Sequence, residues 1–152
     1  MKISTKGKYG LIAMVDLASR EQEGHVSLAS LSARQQISES YLGQIFAALR
    51  RANLVGSVKG AEGGYYLARR PEEITAGDVL EVLEGTIDVM NDAYAQRYGK
   101  MNGQAQLNQC LQDHLWSRLN GCILEVIHEV TLKDLAQRYN DMQEPEPFIY
   151  MI

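Results

Sequence analysis

The sequence predicts a mainly α-helical fold with one small β-hairpin, a winged helix-turn-helix followed by a long C-terminal helix. Three features point there. Residues 6–51 carry three amphipathic helical segments, residues 55–68 read as strand, glycine-rich turn and strand, and an apolar stripe runs from residue 107 to about 130. The chain of 152 residues has the length of one domain, or of one domain with a small appendage. It can bury a core without a disulfide staple. Hydrophobic residues make up 45% and charged residues 22%, which is ordinary for a globular chain and argues against long disorder.

Each element has a local cause. Over residues 6–20, Tyr9, Leu11, Ile12, Val15, Leu17 and Ala18 form an apolar stripe at helical spacing, and Gly24 follows closely enough to end it. Ser27 is placed to cap a second short helix with Leu28, Leu31 and Ala33 turned inward. Residues 35–38 form a short connection. Ser38 then caps a third helix, whose first turn Glu39 favours through the helix dipole. On that helix Tyr41, Leu42, Ile45, Phe46 and Leu49 share the core side, and Ser40, Gly43, Gln44, Ala47 and Arg51 the opposite side. Residues 55–59 and 65–68 are strands joined through Gly60, Gly63 and Gly64, since glycine supplies the positive φ of a tight hairpin. Lys59 stands at the entrance to its tip, and Arg69 and Arg70 at the exit.

Thr75 and Asp78 make a capping box, with Ile74 and Val79 placed as its hydrophobic staple, and the helix they open stops at Gly85. Residues 91–109, rich in Asn, Gln and Gly, read as a polar loop. In the long helix that follows, Trp116, Leu119, Ile123, Val126 and Val130 recur at coiled-coil spacing. Leu111, Leu115, Cys122 and Ile127 widen the face. One seam can serve the chain's own core; so wide a face predicts a second partner, and the element is read as a dimerisation helix. Thr131 and Asp134, with Val130 and Leu135 as staple, open one more short helix. The tail over residues 145–152 ends in Phe148, Ile149, Tyr150, Met151 and Ile152, and such a terminus is expected to pack on the body or on a partner subunit.

The formal charge of −4 argues against a nucleic-acid partner, because phosphates repel an acidic chain. Its distribution argues the other way. Residues 1–71 hold ten Lys and Arg against five Asp and Glu, and residues 72–152 hold five against fourteen. The basic half is also where the third helix presents small and hydrogen-bonding groups instead of Glu and Lys. A helix that enters a major groove needs short side chains for close approach and amide or hydroxyl groups to read base edges. A β-hairpin directly after such a helix is a wing, and its basic tip can reach a minor groove or phosphates. The expected division is a winged helix-turn-helix DNA-binding domain over 1–72 and a dimerisation and sensing region over 73–152. Two copies would meet two DNA half-sites about one helical turn apart.

Five stretches resemble one bacterial family. They are residues 2–10 (KISTKGKYG), 37–42 (ISESYL), 49–55 (LRRANLV), 57–65 with its SVKG and GGY, and 74–79 (ITAGDV). The family is that of the small dimeric winged-helix regulators typified by IscR, NsrR and CymR, and the resemblance covers nearly the whole chain. It implies a homodimeric transcription factor, usually a repressor, on partly palindromic promoter DNA. It also implies base reading by Ser38, Ser40, Tyr41 and Gln44, with phosphate or groove contacts from Lys2, Thr5, Lys6, Arg51 and Lys59 and with Gly63 and Gly64 in the wing. Some members carry an acidic residue where this chain has Gly43, and often Arg where it has Lys59, and these differences bear on the preferred operator. Arg can grip a guanine edge with two hydrogen bonds, whereas Lys acts as a point charge.

Iron–sulfur members of the family carry three closely spaced cysteines before the long helix, and thiolates are what such clusters require. Here only Cys110 stands in that region; Gln104 and Tyr98 occupy the positions six and twelve residues before it. Cys122, twelve helical residues further on, would lie on the order of 18 Å away along the axis. The expectation is therefore a regulator without a cluster, resembling the cysteine-metabolism branch, whose effector is a partner enzyme of cysteine synthesis. The alternative is a metal- or iron–sulfur-dependent redox sensor using Cys110 and His114, one helical turn apart. His25 and His128 have no visible ligand partners.

Other classes fit less well. The sequence offers no Ser/His/Asp or Cys/His constellation and no metal-ligand set for an enzyme, and the turn at Gly60–Gly64 lacks the helix N-terminus of a phosphate site. A winged helix used only for protein contacts would show an acidic or apolar third-helix surface. No apolar run approaches the ~18–20 residues of a membrane span, so no membrane partner is expected. Asp16 interrupts the N-terminal apolar stretch, which argues against a signal peptide, and two cysteines fit a reducing cytoplasm.

Overall fold

A computed structural model describes residues 2–89 and 104–145 of the chain. The expected loop up to residue 103, with Tyr98, and residues 146–152 of the apolar tail lie outside the described residues. The helices are α1 (Thr5–Ser19), α2 (Leu28–Gln35), α3 (Glu39–Arg51), α4 (Ala76–Glu84), α5 (Gln104–Leu111), α6 (Ser117–Glu129) and α7 (Leu132–Gln143), and the strands are β1 (Val55–Val58) and β2 (Gly64–Leu67). The expected fold class holds: a mainly helical chain with one antiparallel hairpin, in a winged helix-turn-helix arrangement. No helix among the described residues is long and apolar enough to cross a membrane.

The caps form where the hydroxyls stand. Ser27 and Ser38 accept from the N–H groups of Ser30 and Tyr41 at the starts of α2 and α3. Thr75 with Asp78 and Thr131 with Asp134 form reciprocal capping boxes, and the staple residues Ile74 and Val79 are both fully buried. The hydrogen bonds from the Thr131 backbone and side chain hold the Asp134 carboxyl below the ordinary carboxylate range.

One core joins Met14 and Leu17 of α1, Leu31 of α2, Ile45, Phe46 and Leu49 of α3, Val79 and Leu83 of α4 and Leu132 and Ala136 of α7. It runs without a break across residue 72. Two inward assignments need correction. Ile12 is 40% exposed, α1 turning Gly10, Ala13, Met14 and Leu17 to the core instead, and Ala33 on α2 is exposed.

The strands pair with Val55 opposite Leu67 and Val58 opposite Gly64. Val26 adds a bridge on the other side of β2, exchanging two backbone hydrogen bonds with Tyr65. Tyr65 packs on buried Phe46 with ring centroids 4.7 Å apart, which fixes the wing against α3. Such a pair is worth about 0.5–1.5 kcal/mol beyond its burial.

The long helix starts earlier than expected and is irregular. Gln112–Trp116 form a π-helical turn between α5 and α6, closed by the Ser117 N–H donating to the Gln112 carbonyl. The expected seam divides on two sides. Trp116, Ile123 and Val130 are half-buried, in register with half-buried Asn120 and Ile127. Leu119 and Val126 stand on an exposed stripe with Leu115 and Cys122, Val126 being 57% exposed. A spacing of alternating three and four residues cannot separate two stripes about 40–60° apart at 100° per residue. None of the described side chains of α5 and α6 is buried.

Candidate nucleic-acid interface

The outer face of α3 owes its presentation to the turn before it. Gln36 adopts the left-handed conformation at φ 55° and donates its N–H to the Ser32 carbonyl, which ends α2. Buried Ile37 then anchors the connection, and Ser38 starts α3. The end of α2 is held from α1. Asp16, 1% exposed, accepts from Arg34 Nε at 3.1 Å and Nη2 at 2.7 Å and from Gln35 Nε2 at 2.7 Å, and Arg20 Nε lies 3.4 Å away. Burial alone would raise the Asp16 pKa, but the hydrogen bonds from Arg34 and Gln35 and the charges of Arg34 and Arg20 outweigh it and hold the carboxyl below its ordinary value. A lone acid on an apolar helix stripe, with Arg20 four residues on, is the sequence signal for this clamp.

With α3 so placed, Ser40, Gln44, Ala47 and Arg51 are exposed and Gly43 is partly so. Glu39 is the only acidic residue of α3 and lies in its first turn. Thr5, Ser38 and Tyr41, expected from two separate stretches, come together with Tyr9, Gln36 and Ile37 around a cleft of about 380 Å³. The Tyr41 ring meets Tyr9 edge-on at 5.8 Å, so its orientation is set by packing on α1. Lys2 is exposed and Lys6 partly exposed on the segment that leads into this cleft.

The wing holds Lys59 exposed at the end of β1. Its glycines have structural causes. A Cβ on Gly63 would stand 2.0 Å from the Val58 carbonyl oxygen and one on Gly64 2.4 Å from that of Val26, so both permit close backbone approach. His25 fixes the tip, its ring Nε2 donating to the Glu62 carbonyl at 2.6 Å. Arg69 is exposed, whereas Arg70 is engaged by Glu73 at 3.1 Å and Glu72 at 3.5 Å.

In the acidic half Cys110, His114 and Cys122 are all exposed. Among the described residues no three His, Cys, Asp or Glu side chains are grouped to hold a metal ion. His128, without a partner in the sequence reading, links α6 to α4. Its Nε2 lies 2.9 Å from Glu81 Oε1 and its Nδ1 3.2 Å from Thr75 Oγ1. A neutral ring satisfies both, donating to the carboxylate and accepting from the hydroxyl.

A capped helix-turn-helix with an acid-poor outer face on its third helix, followed by a basic wing, defines a winged-helix DNA-binding transcription regulator. The sequence profile of the family Rrf2, Iron-dependent Transcriptional regulator, matches residues 3–138. The chain is 40% identical to the HTH-type transcriptional regulator CymR of Bacillus subtilis, over 97% of this chain and 99% of that one. It is also 40% identical to the HTH-type transcriptional regulator IscR of Cereibacter sphaeroides, over 94% and 90%. Among solved structures it is similar to CymR, the global cysteine regulator of B. subtilis, with TM-score 0.71, 40% identity and coverage of 91% and 98%. It is likewise similar to T. potens IscR, with TM-score 0.73, 38% identity and coverage of 99% and 97%. The chain belongs to the Rrf2 family; it is a DNA-binding transcription regulator of the CymR and IscR type and not an enzyme.

The family description implies iron. The donor set does not fit a cluster held by three closely spaced thiolates. The chain has two cysteines, one on α5 and one on α6.

Proposed function

We propose that the chain is a homodimeric, sequence-specific repressor that works in the cytoplasm without an iron–sulfur cluster. The observation that carries this reading is the outer face of α3, where Ser40, Gln44, Ala47 and Arg51 stand exposed beside a basic wing. In the proposed complex α3 lies in the major groove, with Ser38, Ser40, Tyr41 and Gln44 toward base edges. Arg51 meets phosphates at its C-terminal end, and Lys59 and the Gly63–Gly64 turn bring the wing to the minor groove. Lys2, Thr5 and Lys6 contact the backbone from the start of α1.

The second copy packs along α5 and α6. Leu115, Leu119, Cys122 and Val126 form its main stripe, flanked by Trp116, Ile123 and Val130. The exposure of three large apolar residues on one stripe supports this. Dimerisation places two basic winged helices on one molecule, so an acidic chain can still meet phosphates. Two cysteines support the cluster-free assignment. Likeness to the global cysteine regulator of B. subtilis supports a role in cysteine metabolism, and the proposed effector is a partner protein such as an enzyme of cysteine synthesis.

The test is a binding competition at moderate salt between the chain's own upstream DNA and random duplex. Preference for the upstream DNA is expected, and equal affinity for both would refute sequence-specific binding. An absorbance spectrum after anaerobic purification tests the cofactor assignment. A colourless, iron-free protein that binds its DNA is expected; a coloured, iron-containing one would favour the sensor reading through Cys110 and His114.

A further inference from the structure

The motif Ser4-Thr5-Lys6-Gly7-Lys8-Tyr9-Gly10 has a cause outside α1. Gly7 and Gly10 lie one turn apart on the side of α1 that meets the C-terminal end of α4. A Cβ on Gly10 would stand 2.0 Å from Leu83 Cδ1, and one on Gly7 2.2 Å from Glu84 Oε1. The two glycines therefore let Leu83 and Glu84 approach the backbone of α1. There Glu84 Oε1 accepts from the Ser4 N–H at 3.0 Å and from the Ser4 hydroxyl. That hydroxyl in turn accepts from the Gly7 N–H at 3.2 Å as the N-cap of α1. One carboxylate oxygen so closes the entry to α1, at the positive end of the helix dipole, where negative charge is favoured. Thr5 and Lys6 are the next two residues.

We infer that Glu84 is a positioning residue for DNA binding. It fixes the first turn of α1, and through it Lys2, Thr5 and Lys6, in the orientation that meets the phosphate backbone. This rests on the proposed contact between the N-terminal segment and DNA. Charge and positioning make opposite predictions. Glu84 adds to the acidic field, so on electrostatic grounds alone its removal tightens binding to a polyanion. As a positioning residue, its removal weakens binding.

The experiment measures the affinity of the full chain for a labelled duplex from its own upstream region across a salt series, with circular dichroism and oligomeric state recorded alongside. Glu84→Ala is expected to bind about fivefold more weakly, the fold-change that a lost helix cap corresponds to. Its slope of log affinity against log salt should fall, as phosphate contacts are lost. Lys6→Ala should weaken binding by itself but add little in the Glu84→Ala background. Ser4→Ala removes the hydroxyl without changing any charge; it is expected to weaken binding more than twofold, and it decides the matter if Glu84→Ala does not fold. Unchanged or tighter binding by Glu84→Ala or Ser4→Ala, with Lys6→Ala still weak, overturns the inference. Parental binding by both Lys2→Ala and Lys6→Ala overturns the N-terminal contact on which it rests.

Discussion

Replacing Asp16 with Asn removes one charge and keeps the side chain's shape. The carboxylate is 1% exposed and receives three hydrogen bonds, two from Arg34 and one from Gln35. In Asn one acceptor oxygen becomes an NH2, which turns a donor toward a guanidinium that can only donate. Breaking a buried ion pair costs about 3–5 kcal/mol when the remaining charge stays buried. The Arg34 and Arg20 side chains are 27% and 25% exposed and recover part of their hydration. The expected loss at pH 7 is therefore smaller, about 2–3 kcal/mol. For a domain of this size that lowers Tm by about 4–12 °C.

The pH dependence has a definite sign. The folded-state pKa of Asp16 lies below its ordinary value of 3.8. Its contribution is full above that value and is lost as pH falls through the folded pKa, where the folded carboxyl takes up its proton. The deficit of Asp16→Asn is therefore whole at pH 7 and shrinks below 3.8. Urea unfolding followed by circular dichroism at pH 7 and again in acid reads both. A deficit under about 0.5 kcal/mol at pH 7, the size of an ordinary surface change, would refute the clamp. A deficit that persists undiminished in strong acid would refute its electrostatic origin.

Four further outcomes follow from the same geometry. In binding to a set of single-base operator variants, Gln44→Ala should flatten the preference at one position, where a bidentate contact discriminates by about 1–3 kcal/mol. Arg51→Ala should weaken all sequences alike and lower the salt slope by about one. Val126→Glu or Leu119→Glu, on the exposed stripe of α6, should shift the chain toward monomer in light scattering and weaken DNA binding with it, whereas a change at exposed Ala33 should do neither. Gly10→Val would press a branched side chain into the space of Leu83, whose Cδ1 lies 2.0 Å from the Cβ position, and overpacking of that kind costs about 1–3 kcal/mol in unfolding.

The elements readable from the sequence are those whose causes are local. A capping hydroxyl and its partner three residues on lie within one turn, so Ser38, Thr75 and Thr131 mark helix starts without knowledge of the fold. The faces of α3 follow from its periodicity alone. What required the structure is non-local. Asp16 reaches Arg34 eighteen residues away, His128 reaches Glu81 across forty-seven, and Glu84 reaches Ser4 across eighty. The long helix failed for a different reason. Its apolar face is wide, so two stripes fit one spacing rule, and the π turn at Gln112–Trp116 lies inside the segment read as one regular helix. At the candidate interface, Thr5, Ser38 and Tyr41 come from the family resemblance, and the cleft they share is visible only in the structure.

Selecting preferred sites from a random duplex library with the purified chain tests the proposed DNA complex most directly. A dimer that lays one α3 in each of two major grooves predicts two related half-sites in inverted orientation, their centres about 10 base pairs apart. A single unrepeated site, or no enrichment over the starting library, would contradict it.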